Sequence, residues 1–325
     1  MCEKKVLIIK LGAIGDVIQT TIIASAIKQA HPNWKVHYLT HIGIANLIEN
    51  HPHIDDIIIW DSSRKRQISY VLKMGILLFK SRYDYIFNLT NAVRNILLSY
   101  LAFPKKVLQK KVFGKLWVED YFLTAQKEIK DIQLPERLYM ETSKDSKTKI
   151  IEFIKNHPKP YFVITPGGFA DKNRQGRIWN IEKWKDLTQQ LLKKYGGTIF
   201  VCGDASEIDL HKNLERDNVI ICSGKYSLSE TGAFMKFADL VISGDTGPLH
   251  IASAFDVKTL ALLGSTSPDK IKPYGKNGYF VSSDSDCLYC WKKKCKNLQA
   301  GEKYTPCMEN LSVEKVMNKI NEILN

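Results

Sequence analysis

Short runs of Val, Ile and Leu recur along the chain, each followed by a segment of helical length. In the first half they are Val6–Leu11, Val36–Thr40, Ile54–Trp60 and Tyr85–Leu89. In the second they are Tyr161–Thr165, Thr198–Gly203, Val219–Ser223, Leu240–Gly244 and Thr259–Gly264. Several are continuous rather than alternating, the pattern of parallel strands buried on both faces. Strand–helix alternation of this kind predicts an α/β protein with doubly wound parallel sheets and right-handed crossovers. Between the halves a polar stretch from Thr142 runs into His157-Pro158-Lys159-Pro160. Its prolines suit a linker entering a new strand. The expected division is therefore a domain of residues 1–157, a second of 158–311, and a terminal helix over 312–325. Ser312 is positioned to cap that helix, and Val313, Val316, Met317, Ile320 and Leu324 form its apolar stripe.

Composition narrows the class. A chain of 325 residues fits about two domains. Hydrophobic residues at 44% and charged residues at 25% exclude wholesale disorder. The net charge of +13 points to an anionic partner. It divides unevenly: residues 1–157 carry 24 basic and 15 acidic side chains, and residues 158–325 carry 23 and 19. The first-half excess clusters at Arg64-Lys65-Arg66, Lys73, Lys80 and Arg82, and again from Lys105 to Lys115. These are either a solvated face or an anion-facing surface. Leu77, Leu78 and Phe79, lying among them, are either the core face of a helix or a membrane contact. No signal peptide and no apolar run of about 18–20 residues is present, so a cytoplasmic protein with reduced thiols is expected.

Three loops carry candidate chemistry. Lys10-Leu11-Gly12-Ala13-Ile14-Gly15-Asp16 joins a strand to an apolar helix. Its G-x-x-G-D spacing meets neither the dinucleotide fingerprint nor the P-loop. Asp16 is either a first-turn carboxylate favoured by the helix dipole or a proton acceptor for a substrate hydroxyl. The second loop, Pro166-Gly167-Gly168-Phe169, continues through Asp171, Lys172, Arg174 and Arg177 to Trp179. Glycines and cations at a strand's C-terminal end fit a phosphate site, and equally an exposed basic loop. The third, Ser243-Gly244-Asp245-Thr246-Gly247-Pro248-Leu249-His250, starts a small-residue helix aimed at the carboxyl edge of a sheet. Amides of Thr246 and Gly247 there can hold a diphosphate, and His250 is a core residue or a ligand contact.

Taken together the chain resembles glycosyltransferase family 9, the ADP-heptose–lipopolysaccharide heptosyltransferases. The resemblance rests on "IIKLGAIGDVIQTTIIASAIK", "TPGGFADKNRQGRIWNIEKW", "VCGDASE", "LVISGDTGPLHIASAF" and "LALLGSTSP". It implies a GT-B fold, two Rossmann-like domains facing a cleft, with the terminal helix packing back on the first. It implies an inverting transfer of heptose, or a related sugar, from a nucleotide-diphosphate sugar to a lipopolysaccharide core acceptor. Asp16 matches the family's general base, and Arg177 the cation that offsets charge on the leaving diphosphate. Gly167, Gly168, Glu207, Asp245, Thr246, Gly247 and His250 take the donor, with Glu207 on the ribose. Acceptor and phosphate contacts fall to Gly12, Gly15, Arg64, Lys65 and Arg66. The resemblance requires no catalytic cofactor. It implies an acidic glycolipid partner, peripheral contact with the inner face of the inner membrane, and no nucleic acid. Two departures bear on specificity. Asn88-Leu89-Thr90 stands where many relatives carry D-L-Q, and the donor loop Phe169–Gly176 is long and cationic.

Cys287, Cys290, Cys295 and Cys307 fall within a short stretch, the first pair with metal-knuckle spacing. They read as a structural zinc or iron site or as free thiols, and some relatives hold iron with cysteines here. Other functions stay open at this level: a family member acting on a different glycan or on a protein, and a non-enzymatic basic anion or nucleic-acid binder. A Rossmann oxidoreductase is disfavoured by the missing G-x-G-x-x-G.

Overall fold

A computed structural model describes residues 3–65, 67–90, 99–110, 112–167, 176–292, 294–299 and 301–325. The chain forms two compact units, Met1–Glu141 and Thr142–Asn325. In the first, β1 (Lys5–Ile9), β2 (Lys35–His41), β3 (Asp56–Trp60), β4 (Tyr85–Asn88) and β5 (Lys106–Gln109) make one parallel sheet in the order β3-β2-β1-β4-β5. Val6, Leu7, Ile8 and Ile9 of the central β1 are fully buried, as a continuous apolar run requires when helices cover both faces. Helix α1 (Ile14–Ala30) buries every residue from Val17 to Ile27. It packs against the helix Trp117–Gln126. Helix α2 is Ile42–Ile48, and α3 (Ile68–Lys80) carries the chain back from β3 to β4.

The second unit holds β6 (Tyr161–Thr165), β7 (Thr198–Val201), β8 (Val219–Ile221), β9 (Leu240–Gly244), β10 (Thr259–Leu262) and β11 (Gly278–Val281). Their order is β11-β10-β9-β6-β7-β8, all parallel. Two parallel sheets flanked by helices are the α/β architecture that the apolar runs predict.

Two boundaries differ from the sequence expectation. The helix Lys144–Ile154 belongs to the second unit, because it packs on the helix Leu228–Lys236. Lys149 Nζ meets Glu230 Oε1 at 2.6 Å across that contact. The units therefore part after Glu141 rather than after His157. The terminal helix Val313–Leu324 packs on the helix Ile181–Tyr195 and on β11, within the second unit's own core. Val316, Ile320 and Ile323 share that core with Trp179 and Trp184, whose rings meet edge-on at 5.2 Å. Trp179 Nε1 donates to the Leu311 carbonyl at 2.9 Å and fixes the approach to the helix.

Candidate active site

Each sheet reverses its strand order at one point, and ligands of open α/β sheets bind outside the carboxyl ends of the strands there. In the first unit the reversal lies between β1 and β4. The loop leaving β1 is fixed by Lys10, whose backbone N–H donates to the Leu39 carbonyl and whose Nζ donates to the Leu89 carbonyl at 3.3 Å. Gly12 is exposed, with open space where a Cβ would sit, so its backbone is accessible. Ala13 takes φ 54°, and no side chain caps the first amides of α1. Gly15 and Asp16 lie in the first turn of that helix.

Asp16 is held on both oxygens. Lys10 Nζ lies 2.8 Å from Oδ2, and the Tyr121 hydroxyl donates to Oδ1 at 3.4 Å. Burial, reinforced by the Asp16 charge, pushes the Tyr121 phenol well above its ordinary range, so it stays protonated as a donor. Lys110 approaches the same hydroxyl at 3.3 Å and stands over the Trp117 ring. The Asp16 side chain nonetheless keeps 38% of its surface exposed. It is oriented and still reachable.

Arg64 and Lys65 are exposed beyond β3, which lies two strands from β1. At about 4.8 Å per strand they stand roughly 10 Å or more to the side of the switch point. Arg64 donates to Gln67 and covers the Tyr70 ring. Arg66 lies outside the described residues.

In the second unit the reversal lies between β6 and β9. Here the structure brings Gly167, Arg177, Asp245 and Thr246 together. Gly167 takes φ 42°, and a Cβ on it would press to 3.1 Å of Thr246 Cγ2. Arg177 Nε lies 3.0 Å from Asp245 Oδ2. That contact is one of charge rather than an aligned hydrogen bond, for Oδ2 is buried with no hydrogen-bond partner among the described residues. Thr246 precedes the helix Gly247–Ala254 and gives it no side-chain cap, with Pro248 in the first turn. The Thr246 amide donates to the Gly244 carbonyl at 2.8 Å and Pro248 has no N–H, which leaves the Gly247 amide as the first-turn donor at this end with no acceptor among the described residues. His250 is buried one turn into the helix. Gly168 lies outside the described residues.

Glu207 sits beyond β7, the neighbour of β6. It is nearly buried, and its Oε2 accepts from the Asp204 amide at 3.0 Å in a capping box. A Cβ on Gly203 would fall 2.8 Å from that same oxygen, so the loop closes tightly around it.

Thr165 and Ser243, which are not among the residues expected at the site, join Thr246 there. Thr165 Oγ1 donates to Ser243 Oγ at 2.6 Å, and Ser243 Oγ lies 3.3 Å from Thr246 Oγ1. This hydroxyl chain ties the ends of β6 and β9 to Thr246 at the start of the helix Gly247–Ala254. Its only sequence signal is a hydroxyl residue near the end of each apolar run.

Cys287, Cys290, Cys295 and Cys307 line one cavity of about 50 Å³, together with Lys292 and Lys296. Burial pushes the Cys307 thiol up, and the other three cysteines add to that effect. Among the described residues no three His, Cys, Asp or Glu side chains are arranged to hold a metal ion. The expected knuckle is thus a convergence of thiols rather than a formed ligand set.

Residues 98–300 match the family model described as glycosyltransferase family 9 (heptosyltransferase). The chain belongs to that family. A lipopolysaccharide heptosyltransferase 1 of Campylobacter coli is 23% identical over 353 residues, covering 98% of each chain. Among solved structures, the family 9 glycosyltransferase of Veillonella parvula superposes with a TM-score of 0.85 at 18% identity, covering 100% of this chain and 98% of that one. The E. coli ADP-heptose LPS heptosyltransferase II superposes with a TM-score of 0.79 at 17% identity, covering 98% of each. The protein is a glycosyltransferase with a GT-B class fold.

Proposed function

We propose that this glycosyltransferase moves a heptose from ADP-heptose to a lipopolysaccharide core acceptor with inversion at the anomeric carbon. The observation that carries the donor half is the β6/β9 switch point. There Arg177, the Gly247 amide at the start of the helix Gly247–Ala254, and the buried Asp245 carboxylate converge. A guanidinium and a helix amide suit a diphosphate, and the Asp245 carboxylate, 3.0 Å from Arg177, orients that guanidinium.

In the reaction, the Asp16 carboxylate takes the proton of the acceptor hydroxyl. That oxygen attacks the anomeric carbon as the bond to the diphosphate breaks. Arg177 and the Gly247 amide compensate the charge that the leaving diphosphate gains. The proposed mechanism therefore calls on no cofactor. Glu207, with one oxygen committed to its capping box, has the other for the ribose. Gly167, Gly168 and His250 complete the donor contacts, and Gly12 and Gly15 give backbone access on the acceptor side. Arg64, Lys65 and Arg66 meet the acceptor's anionic groups at its outer reach.

A thermal-shift comparison of ADP, UDP and GDP tests the donor. Ligand at 100 times its Kd stabilises by about 2.7 kcal/mol, which at roughly 2–4 °C per kcal/mol is a rise of about 5–10 °C. ADP is expected to produce it, and an equal shift with UDP or GDP overturns the assignment. Product analysis with lipopolysaccharide core, other glycans and protein as acceptors tests the other half.

The cysteine pocket supports a subsidiary proposal. Four soft thiols line one cavity without forming a ligand set, and zinc or iron would have to draw the segment carrying Cys287, Cys290 and Cys295 onto the buried Cys307. Protein purified under reducing, chelator-free conditions should carry about one metal per chain, and less than about 0.2 overturns the site.

A further inference from the structure

Helix α3 turns an apolar face outward. Its inner side, with Met74, Gly75 and Leu78 buried, packs on the first unit's core beside Trp60 and Tyr83. The outer side carries Ile68, Leu72, Ile76 and Phe79, which are 77%, 55%, 54% and 53% exposed. Spaced by four, four and three residues, these form one stripe along the helix. Phe103, 75% exposed, meets Phe79 edge-on at 5.7 Å and extends the stripe sideways. Its φ of 44° is a conformation that costs an aromatic residue energy, yet it holds the ring out in solvent. An apolar surface of this continuity marks an interaction site rather than ordinary surface.

The charges around the stripe identify what it meets. No acidic residue occurs between Asp61 and Asp84. Over the same span Arg64, Lys65, Lys73, Lys80 and Arg82 are exposed, and none of them forms an ion pair among the described residues. Lys73 and Lys80 project from one flank of the stripe itself. A second copy docked through the same face would set these cations against their own counterparts. A surface that is apolar within and anionic at its boundary satisfies both features at once.

We propose that the outer face of α3, with Phe103, docks the protein on an anionic lipid bilayer. The helix lies in the plane of the headgroups, its stripe in the acyl boundary and its cations on the lipid phosphates. At 13 residues, or roughly 20 Å, it is a surface element. No helix among the described residues is long and apolar enough to cross a membrane. The docking extends the glycolipid-acceptor reading and rests on it for its setting, since it would bring the acceptor-side unit to where a lipid-anchored glycan is displayed.

Co-sedimentation with vesicles tests it, using the full chain and either phosphatidylcholine alone or a phosphatidylcholine–phosphatidylglycerol mixture. The protein is expected to bind the anionic vesicles at least tenfold more tightly, and salt should weaken that binding. Two double variants, Leu72→Ser/Ile76→Ser and Lys73→Glu/Lys80→Glu, should each reduce it at least tenfold. Each lysine near an anionic surface is worth about a fivefold change in binding. Both variants replace exposed side chains and should keep the wild-type melting temperature and ADP shift. Equal sedimentation of wild type and both variants overturns the proposal. So does a concentration-dependent dimer, seen by light scattering, that Leu72→Ser/Ile76→Ser dissolves while vesicles go unbound. If wild type binds vesicles but ADP gives no shift, the donor assignment falls and the docking surface stands.

Discussion

Asp16→Asn is expected to lower kcat by roughly 10²–10⁴-fold, the contribution of a positioned general base. The substitution preserves shape. The asparagine Oδ1 can still accept from Tyr121, whose hydroxyl lies 3.4 Å from the native oxygen. What disappears is the proton affinity of the carboxylate and the charge that Lys10 meets at 2.8 Å. Donor binding should change little, because Arg177, Asp245 and Thr246 belong to the second unit while Asp16 belongs to the first. Steady-state kinetics and an ADP thermal shift, measured on the same preparation, separate the two effects. Transfer that persists within a few-fold of wild type shows that another group accepts the proton. A parallel loss of the ADP shift shows instead that the substitution disturbs more than the chemistry.

The second large effect is at Arg177. Replacing it with alanine removes the cation proposed to compensate the leaving diphosphate, and loss of one such donor typically costs about 10²–10³ in kcat. It also strands Asp245, whose side chain is only 7% exposed and whose Oδ2 has no hydrogen-bond partner among the described residues. Removing one member of a buried pair costs about 3–5 kcal/mol. Arg177 itself is 28% exposed, so water screens part of the interaction and roughly 1–3 kcal/mol is the expected destabilisation. The double variant Arg177→Ala/Asp245→Asn distinguishes the two losses. Neutralising Asp245 should return most of the melting temperature without returning kcat. A double variant that recovers both would assign Arg177 a structural role alone.

How far the chain could be read in advance depended on how local each feature is. Nine strand runs were legible because they are apolar at consecutive positions, seven of them in the sheet interiors and two, β3 and β8, at edges that still carry runs of Ile and Val. The other two edge strands, β5 and β11, were not. Lys106–Gln109 and Gly278–Val281 are four residues each and cover less core, so polar and small residues interrupt them. The helix Lys144–Ile154 is mostly polar, with Ile150 and Ile154 buried, and nothing in that pattern says which unit receives it. The stripe of the terminal helix was clear from Val313 onward, but a stripe specifies only that it is covered. Its cover proved to be the core of Trp179 and Trp184. In α3 the sequence left Leu77, Leu78 and Phe79 open between core and surface. Packing divides them: Leu78 is buried, and Leu77 and Phe79 are exposed.

The sequence alone determined the strand periods, the glycine-bearing loops at strand ends and the residue types on them, since all three follow from chain-local sterics and burial. Tertiary structure decided which loops meet. Thr165 and Ser243 lie 78 residues apart, and only the parallel pairing of β6 with β9 places them in register. That register sets Gly167 against Thr246 and Arg177 against Asp245, turning two separate loops into one site. Sheet order is a long-range property, because many sets of apolar strands can pair equally well by pattern. The order is chosen by how the covering helices pack, and local sequence does not encode that by itself.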